Sequence, residues 1–197
     1  MRLLLGTNNN GKIVEIGEAL AGLPLTLLTP GQYSITAMPD ETGTTFSENA
    51  LQKSRFYYSH SQLPTIADDS GIMIEALKDE LGIHTRRWGA GKDASDEEWI
   101  HYFLKRMERE SNRNARFVCS LAYIDRDGEH LFEGICDGVI TPTLEAEYLP
   151  GLPISACFKP HGHDLVYSAM STVQKNSSSH RGKALGAFRK FLEAKVL

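Results

Sequence analysis

The order of segments predicts a mixed α/β fold. Three observations carry that prediction: an apolar N-terminal strand running through a polar loop into a helix, two later helices with capping signals, and a long antiparallel hairpin. Arg2-Leu3-Leu4-Leu5 reads as a short buried strand, and Thr7-Asn8-Asn9-Asn10-Gly11-Lys12 supplies turn formers and polar residues. Ile13, Ile16, Ala19 and Leu20 then recur at helical spacing, so the loop opens a helix whose N-terminal N–H groups favour an anion. Thr45 with Glu48 three residues on announces a second helix, ending near His60. Residues 64–67 and 72–74 read as one strand interrupted by an acidic turn at Asp68-Asp69-Ser70-Gly71. Ser95 and Glu98 cap a third helix bearing an apolar stripe of Trp99, Phe103, Leu104 and Met107. The hairpin joins residues 117–124 to 130–140 through Asp125-Arg126-Asp127-Gly128, where Asp-Gly supplies the positive φ angles of a tight turn. A closing helix from about Arg181 carries Ala184, Leu185, Phe188 and Leu192 on one face.

At 197 residues, with 41% hydrophobic and 23% charged content, residues 1–197 are expected to form a single domain. No apolar run approaches the ~20 residues needed to cross a bilayer. Met1 leads straight into a strand with no targeting segment, so a cytoplasmic protein is expected. Cys119, Cys136 and Cys157 lack any C-x-x-C spacing, which suggests neither a disulfide framework nor a zinc site. The net charge of -4 argues against a nucleic-acid partner, so an anionic ligand must be met by local cations.

Three polar islands interrupt apolar surroundings: residues 7–12, Glu41 with residues 68–71, and residues 175–181. The middle island offers carboxylates, the hard oxygen ligands that suit a Mg²⁺ ion bridging substrate phosphates. The last brings hydroxyls, an imidazole and two cations to the start of the closing helix, where a phosphate chain fits. Each also has an ordinary account: a solvated acidic turn, serines capping a helix, and an Asn- and Gly-bearing loop. A Walker A loop is excluded, because Gly11-Lys12 is not followed by Ser or Thr.

In combination these segments resemble the inosine triphosphate pyrophosphatase family. Thr7 to Lys12 with Glu15 is similar to its T-x-N-x-x-K-x-x-E opening, and Glu41-Thr42-Gly43 with Thr45-Phe46-Ser47-Glu48-Asn49-Ala50 to its E-T-G-x-T-F-x-E-N-A segment. Ala67-Asp68-Asp69-Ser70-Gly71 resembles A-D-D-S-G, and Ser179-His180-Arg181 with Ala184-Leu185 resembles S-H-R-x-x-A-L. The resemblance spans nearly the whole chain. It implies a two-lobed α/β fold around a long mixed central sheet, with a nucleotide cleft between the lobes, in a homodimer. It also implies hydrolysis of non-standard purine triphosphates (ITP, dITP, XTP) to the monophosphate and pyrophosphate.

Carried over by position, Thr7, Asn9 and Lys12 are expected to hold phosphates, and Glu41, Asp68 and Asp69 to bind Mg²⁺ or Mn²⁺. Asp69 is the expected proton acceptor, with Lys12 and Lys175 stabilising the leaving pyrophosphate. Ser70, Phe158, Lys175, His180 and Arg181 complete the expected substrate contacts, and Arg87 is placed near the ligand or a dimer contact. One segment departs from the pattern. Where the family carries F-G-Y-D-P-x-F for the base, this chain reads Leu152-Pro153-Ile154-Ser155-Ala156-Cys157-Phe158. Loss of a stacking contact of ~1–3 kcal/mol predicts retained chemistry with altered or relaxed base preference. The alternative is a nucleotide-binding or sensing homologue with weakened catalysis. An aspartyl-phosphate phosphatase fits less well, since it needs D-x-D after a strand and these aspartates are adjacent.

Overall fold

The computed structural model describes residues 1–78, 80–91 and 93–196, the side chains of Arg86, Arg87 and Val196 excepted, so the Arg87 expectation lies outside the described residues. In chain order the main elements are β1 (Arg2–Leu5), α1 (Asn10–Ala19), β2 (Thr26–Leu28), α2 (Phe46–Ser61), β3 (Thr65–Ile74) and α3 (Asp96–Met107). They continue with β4 (Asn114–Asp125), β5 (Gly128–Ile140), β6 (Phe158–Pro160), α4 (Thr172–Ser178) and α5 (His180–Val196).

The strands form one mixed sheet in the order β2-β1-β3-β4-β5-β6. β1 pairs in parallel with β2 and β3, and the other neighbours are antiparallel. The capping residues act as the sequence predicts: Thr45 accepts from the Glu48 N–H, and Ser95 and Glu98 form a reciprocal capping box. In the hairpin, Asp125 pairs with Gly128, and the positive φ falls on Gly128 (144°) and not on Asp127.

Two expectations need correction. The acidic segment is not a turn, because β3 runs unbroken from Thr65 to Ile74 and every residue in it pairs with β4. Asp68 and Asp69 lie opposite Leu121 and Ser120, and that long register holds the segment extended despite its turn-forming composition. Lys175 does not start the closing helix, because it stands in the last turn of the separate helix α4, which Ser179 terminates.

Two apolar clusters straddle the middle of β3. Leu3, Leu5, Ile16, Ile66, Leu121, Leu185 and Phe188 belong to one, and Ile72, Ile74, Trp99, Phe103, Ile140, Ile154 and Tyr167 to the other. These are the cores of the two expected lobes, and residues 68–71 cross between them.

Candidate functional site

β1 stops opposite Ile66, so from Asp68 onward β3 has β4 on one side and no strand on the other. Successive strand residues point to opposite faces, but at an open edge both faces border the same space. A cavity of about 390 Å³ opens there, lined by residues from the 6–12 loop, Glu41, Lys53, residues 68–71, residues 151–155, Trp99, Phe117, Tyr167, His180 and Arg181.

The loop after β1 is built by Asn9, which caps α1 by accepting from the Lys12 N–H at 3.1 Å. Its amide nitrogen donates to the Gly151 carbonyl at 3.1 Å, so the Asn9 side chain is already engaged at both ends. Thr7 Oγ1 accepts from the Asn9 N–H. Lys12 is thereby aimed across the loop at Asp68, its Nζ 2.9 Å from Oδ2.

On the face of β3 that carries Asp68, the Arg181 guanidinium reaches Asp68 Oδ2 at 3.3 Å, donates to Ser70 Oγ at 2.8 Å, and pairs with Glu15. Glu15 also holds Lys175, which does not itself line the cavity. Burial alone would raise the Asp68 carboxyl, but Lys12 and Arg181 outweigh it and hold the group well below the usual carboxylate range. Glu15 is lowered in the same way: burial opposes the shift, and Arg181 and Lys175 drive it. Asp68 Oδ1 remains buried with no hydrogen-bond partner.

On the other face, Lys53 Nζ lies 2.7 Å from Asp69 Oδ1 and 2.5 Å from Glu41 Oε1. Burial would lower this amine, yet Asp69 and Glu41 raise it above its ordinary value. Asn49 donates to Asp69 Oδ2 at 3.2 Å. Lys53 and Asn49 escaped the sequence reading. The signal the sequence held was their spacing: four residues apart, they place two polar groups on one face of α2.

His180 opens α5 and is clamped by Gly134, where a Cβ would overlap the His180 carbonyl oxygen. Its ring stacks on Phe117 with centroids 4.5 Å apart, and burial first, then Arg181, push its pKa well below normal, leaving a neutral imidazole. Phe158 does not line the cavity. It is fully buried in β6 and packs edge-on against Phe117.

The donors suit a divalent ion held mainly by substrate and water. Among the described residues no three His, Cys, Asp or Glu side chains group as a ready cage. The buried, unpartnered Asp68 Oδ1 and the carboxylates of Glu41 and Asp69 are nevertheless the hard oxygens that such an ion takes.

A two-lobed α/β protein whose interlobe cavity is lined by cations, carboxylates and apolar rings suits an amphiphilic anion such as a nucleotide. The chain belongs to the Ham1 family, whose model matches residues 3–191. It is 38% identical over 194 residues to a dITP/XTP pyrophosphatase of Leptospira interrogans, covering 98% of each chain. It is also 38% identical over 190 residues to one of Thermus thermophilus, covering 95% of this chain and 89% of that protein. The solved Ham1 protein of Staphylococcus aureus superposes with a TM-score of 0.82 at 30% identity, covering 99% of this chain and 100% of the other. That of Coxiella burnetii gives 0.82 at 30% identity, covering 98% and 99%. This family is the one that the four sequence motifs resemble.

Proposed function

We propose that this protein is a divalent-metal-dependent nucleoside triphosphate pyrophosphatase that hydrolyses purine triphosphates of the dITP and XTP class to the monophosphate and pyrophosphate. The observation that carries the reading is the Lys12–Asp68–Arg181 network on the cavity wall, with the unpartnered Asp68 Oδ1 beside it. Cations for the phosphates and a free hard oxygen for a metal stand together there. The substrate class follows from the two relatives at 38% identity.

In this reading Asp69, oriented by Lys53 and Asn49, accepts the proton of the water that attacks the α-phosphorus in line. Lys12 neutralises the departing pyrophosphate, Lys175 supports the network from behind the cavity wall by holding Glu15, and Arg181 and Ser70 orient the phosphates, because phosphoryl transfer depends mainly on positioning and charge stabilisation. Glu41, Asp68 and Asp69 are the residues that would hold Mg²⁺ or Mn²⁺. When bound, the ion neutralises phosphate charge and acidifies water. Thr7 and the α1 N-terminus offer further phosphate contacts, and the neutral His180 offers a base or phosphate contact.

A homodimer is part of the proposal. Met73 and Ile135 stay 51% and 43% exposed on the α2 side of the sheet, apolar surface that a second copy would cover. Three free, buried cysteines suit the reducing cytoplasm, and no helix among the described residues is long and apolar enough to cross a membrane.

The test is product analysis with dITP, XTP and the standard triphosphates. Monophosphate plus pyrophosphate is expected, lost on chelation and restored by Mg²⁺. Asp69→Asn should lower kcat by ~10²- to 10⁴-fold with an unchanged circular dichroism spectrum. Wild-type turnover of that variant at saturating Mg²⁺ would remove Asp69 from the role.

A further inference from the structure

The three carboxylates that suit a divalent ion are held by the chain's own cations: Asp68 by Lys12 and Arg181, and Asp69 together with Glu41 by the single ammonium of Lys53. Glu41, Lys53 and Asp69 all line the cavity. Lys53 Nζ also donates to the Asp68 carbonyl at 3.3 Å, so it has three oxygen partners. An ammonium has three N–H bonds, and this one has none left for a phosphate until a partner is given up.

Both oxygens of Asp69 are engaged, Oδ1 by Lys53 and Oδ2 by Asn49. The two donors differ in freedom. Asn49 is 1% exposed and its Oδ1 accepts from the Gly43 N–H at 2.8 Å, where a Cβ on Gly43 would come within 2.6 Å of that oxygen. Lys53 carries its charge on a flexible four-carbon stem. The segment bearing Glu41 is also tied to α2, because the Thr42 N–H donates to Gln52 Oε1 at 3.1 Å. Glu41 and Asp69 are therefore held near one another by groups other than Lys53, and the ammonium between them is the part that can leave.

We propose that Lys53 is a placeholder for the divalent ion: in the phosphate-free protein its ammonium occupies the oxygens of Glu41 and Asp69, and it yields them when a triphosphate draws it away, so that metal and substrate enter together. The inference rests on the metal-dependent reading above and deepens it. A divalent ion that binds through Glu41 Oε1 and Asp69 Oδ1 competes for the oxygens the ammonium already contacts, and two cations at such range in a partly buried site repel with little screening. A phosphate chain reverses the balance. It offers the ammonium other anionic oxygens and brings the ion further ligands. Because coupling between two ligands is reciprocal, a site closed to the metal alone opens to both together.

The test reads metal binding, so that it stands apart from turnover. Mn²⁺ is titrated into phosphate-free wild type, Lys53→Met and Lys175→Met, with free Mn²⁺ followed by its electron paramagnetic resonance signal and folding checked by circular dichroism. Lys53→Met should bind Mn²⁺ about tenfold or more tighter than the wild type, although its turnover is lower. Lys175→Met removes one positive charge that pairs with Glu15 and not with Glu41 or Asp69, so its Mn²⁺ affinity should stay within about threefold of the wild type.

An unchanged or weaker Mn²⁺ affinity in Lys53→Met would overturn the proposal, because a lysine that only braces the site loosens it when removed. An equal gain in both variants would overturn it as well, by showing a general effect of net charge. So would a wild type that binds Mn²⁺ without phosphate at a Kd below about ten micromolar, a result that needs no variant to fold. Absence of hydrolysis with the Lys53→Met gain intact would count against the proposed reaction and leave Lys53 in its role.

Discussion

Arg181→Met removes the charge that holds two buried carboxylates together while keeping an unbranched side chain of similar reach. Arg181 is 4% exposed and bridges Glu15 on α1 to Asp68 on β3. Removing one partner of a buried ion pair costs about 3–5 kcal/mol, because the remaining charge is left desolvated. Lys12 stays on Asp68 and Lys175 on Glu15, so neither carboxylate is abandoned and the expected loss is at the lower end, about 3 kcal/mol at pH 7. At roughly 2–4 °C per kcal/mol for a chain of this size, the melting temperature should drop by about 6–12 °C.

The sign of the pH dependence follows from the shifts. Both carboxyls are lowered in the folded protein, so their contribution to stability is present above the ordinary carboxylate pKa near 4 and is lost as pH falls below it. Without the guanidinium, burial, the largest opposing cause at both sites, moves them upward. They then protonate at a higher pH than in the wild type, and the difference between variant and wild type should shrink as pH falls below 4. Urea denaturation at pH 7 and at a pH about one unit below 4 measures this. A loss under about 1 kcal/mol at pH 7, or an equal loss at both pH values, would refute the account of a buried charge network.

Lys53→Met leaves Glu41 and Asp69 without their shared cation, and loss of charge-assisted hydrogen bonds worth about 1.5–3 kcal/mol should lower kcat/KM by roughly 10- to 100-fold in steady-state assays. Gly134→Ala drives a methyl into the His180 carbonyl, so it should cost about 1–3 kcal/mol in urea denaturation and reduce activity by displacing His180 and Arg181.

Local signals were legible in the residues because their physics is local. Thr45 with Glu48 and Ser95 with Glu98 specify two helix starts through hydrogen bonds spanning three residues, and the hairpin and the N-terminal strand follow from alternation and turn chemistry. Four separated motifs also marked which polar residues to watch, and Lys12, Glu41, Asp68, Asp69, Ser70, His180 and Arg181 all border one cavity. Residues 68–71 misled because their composition favours a turn, and only pairing with β4, some fifty residues downstream, keeps them extended.

Tertiary structure decided the rest. Adjacent aspartates share one space only because β1 ends opposite Ile66 and exposes the edge of β3. Arg181 reaches Asp68 across 113 residues of chain because α5 packs onto β5 at Gly134. Trp99 reads in sequence as one member of an apolar stripe, and only the folded chain shows that its N–H is buried without a partner. Helix caps and periodicity are properties of neighbouring residues. An orphaned donor is a property of everything that surrounds it, which no window of sequence contains.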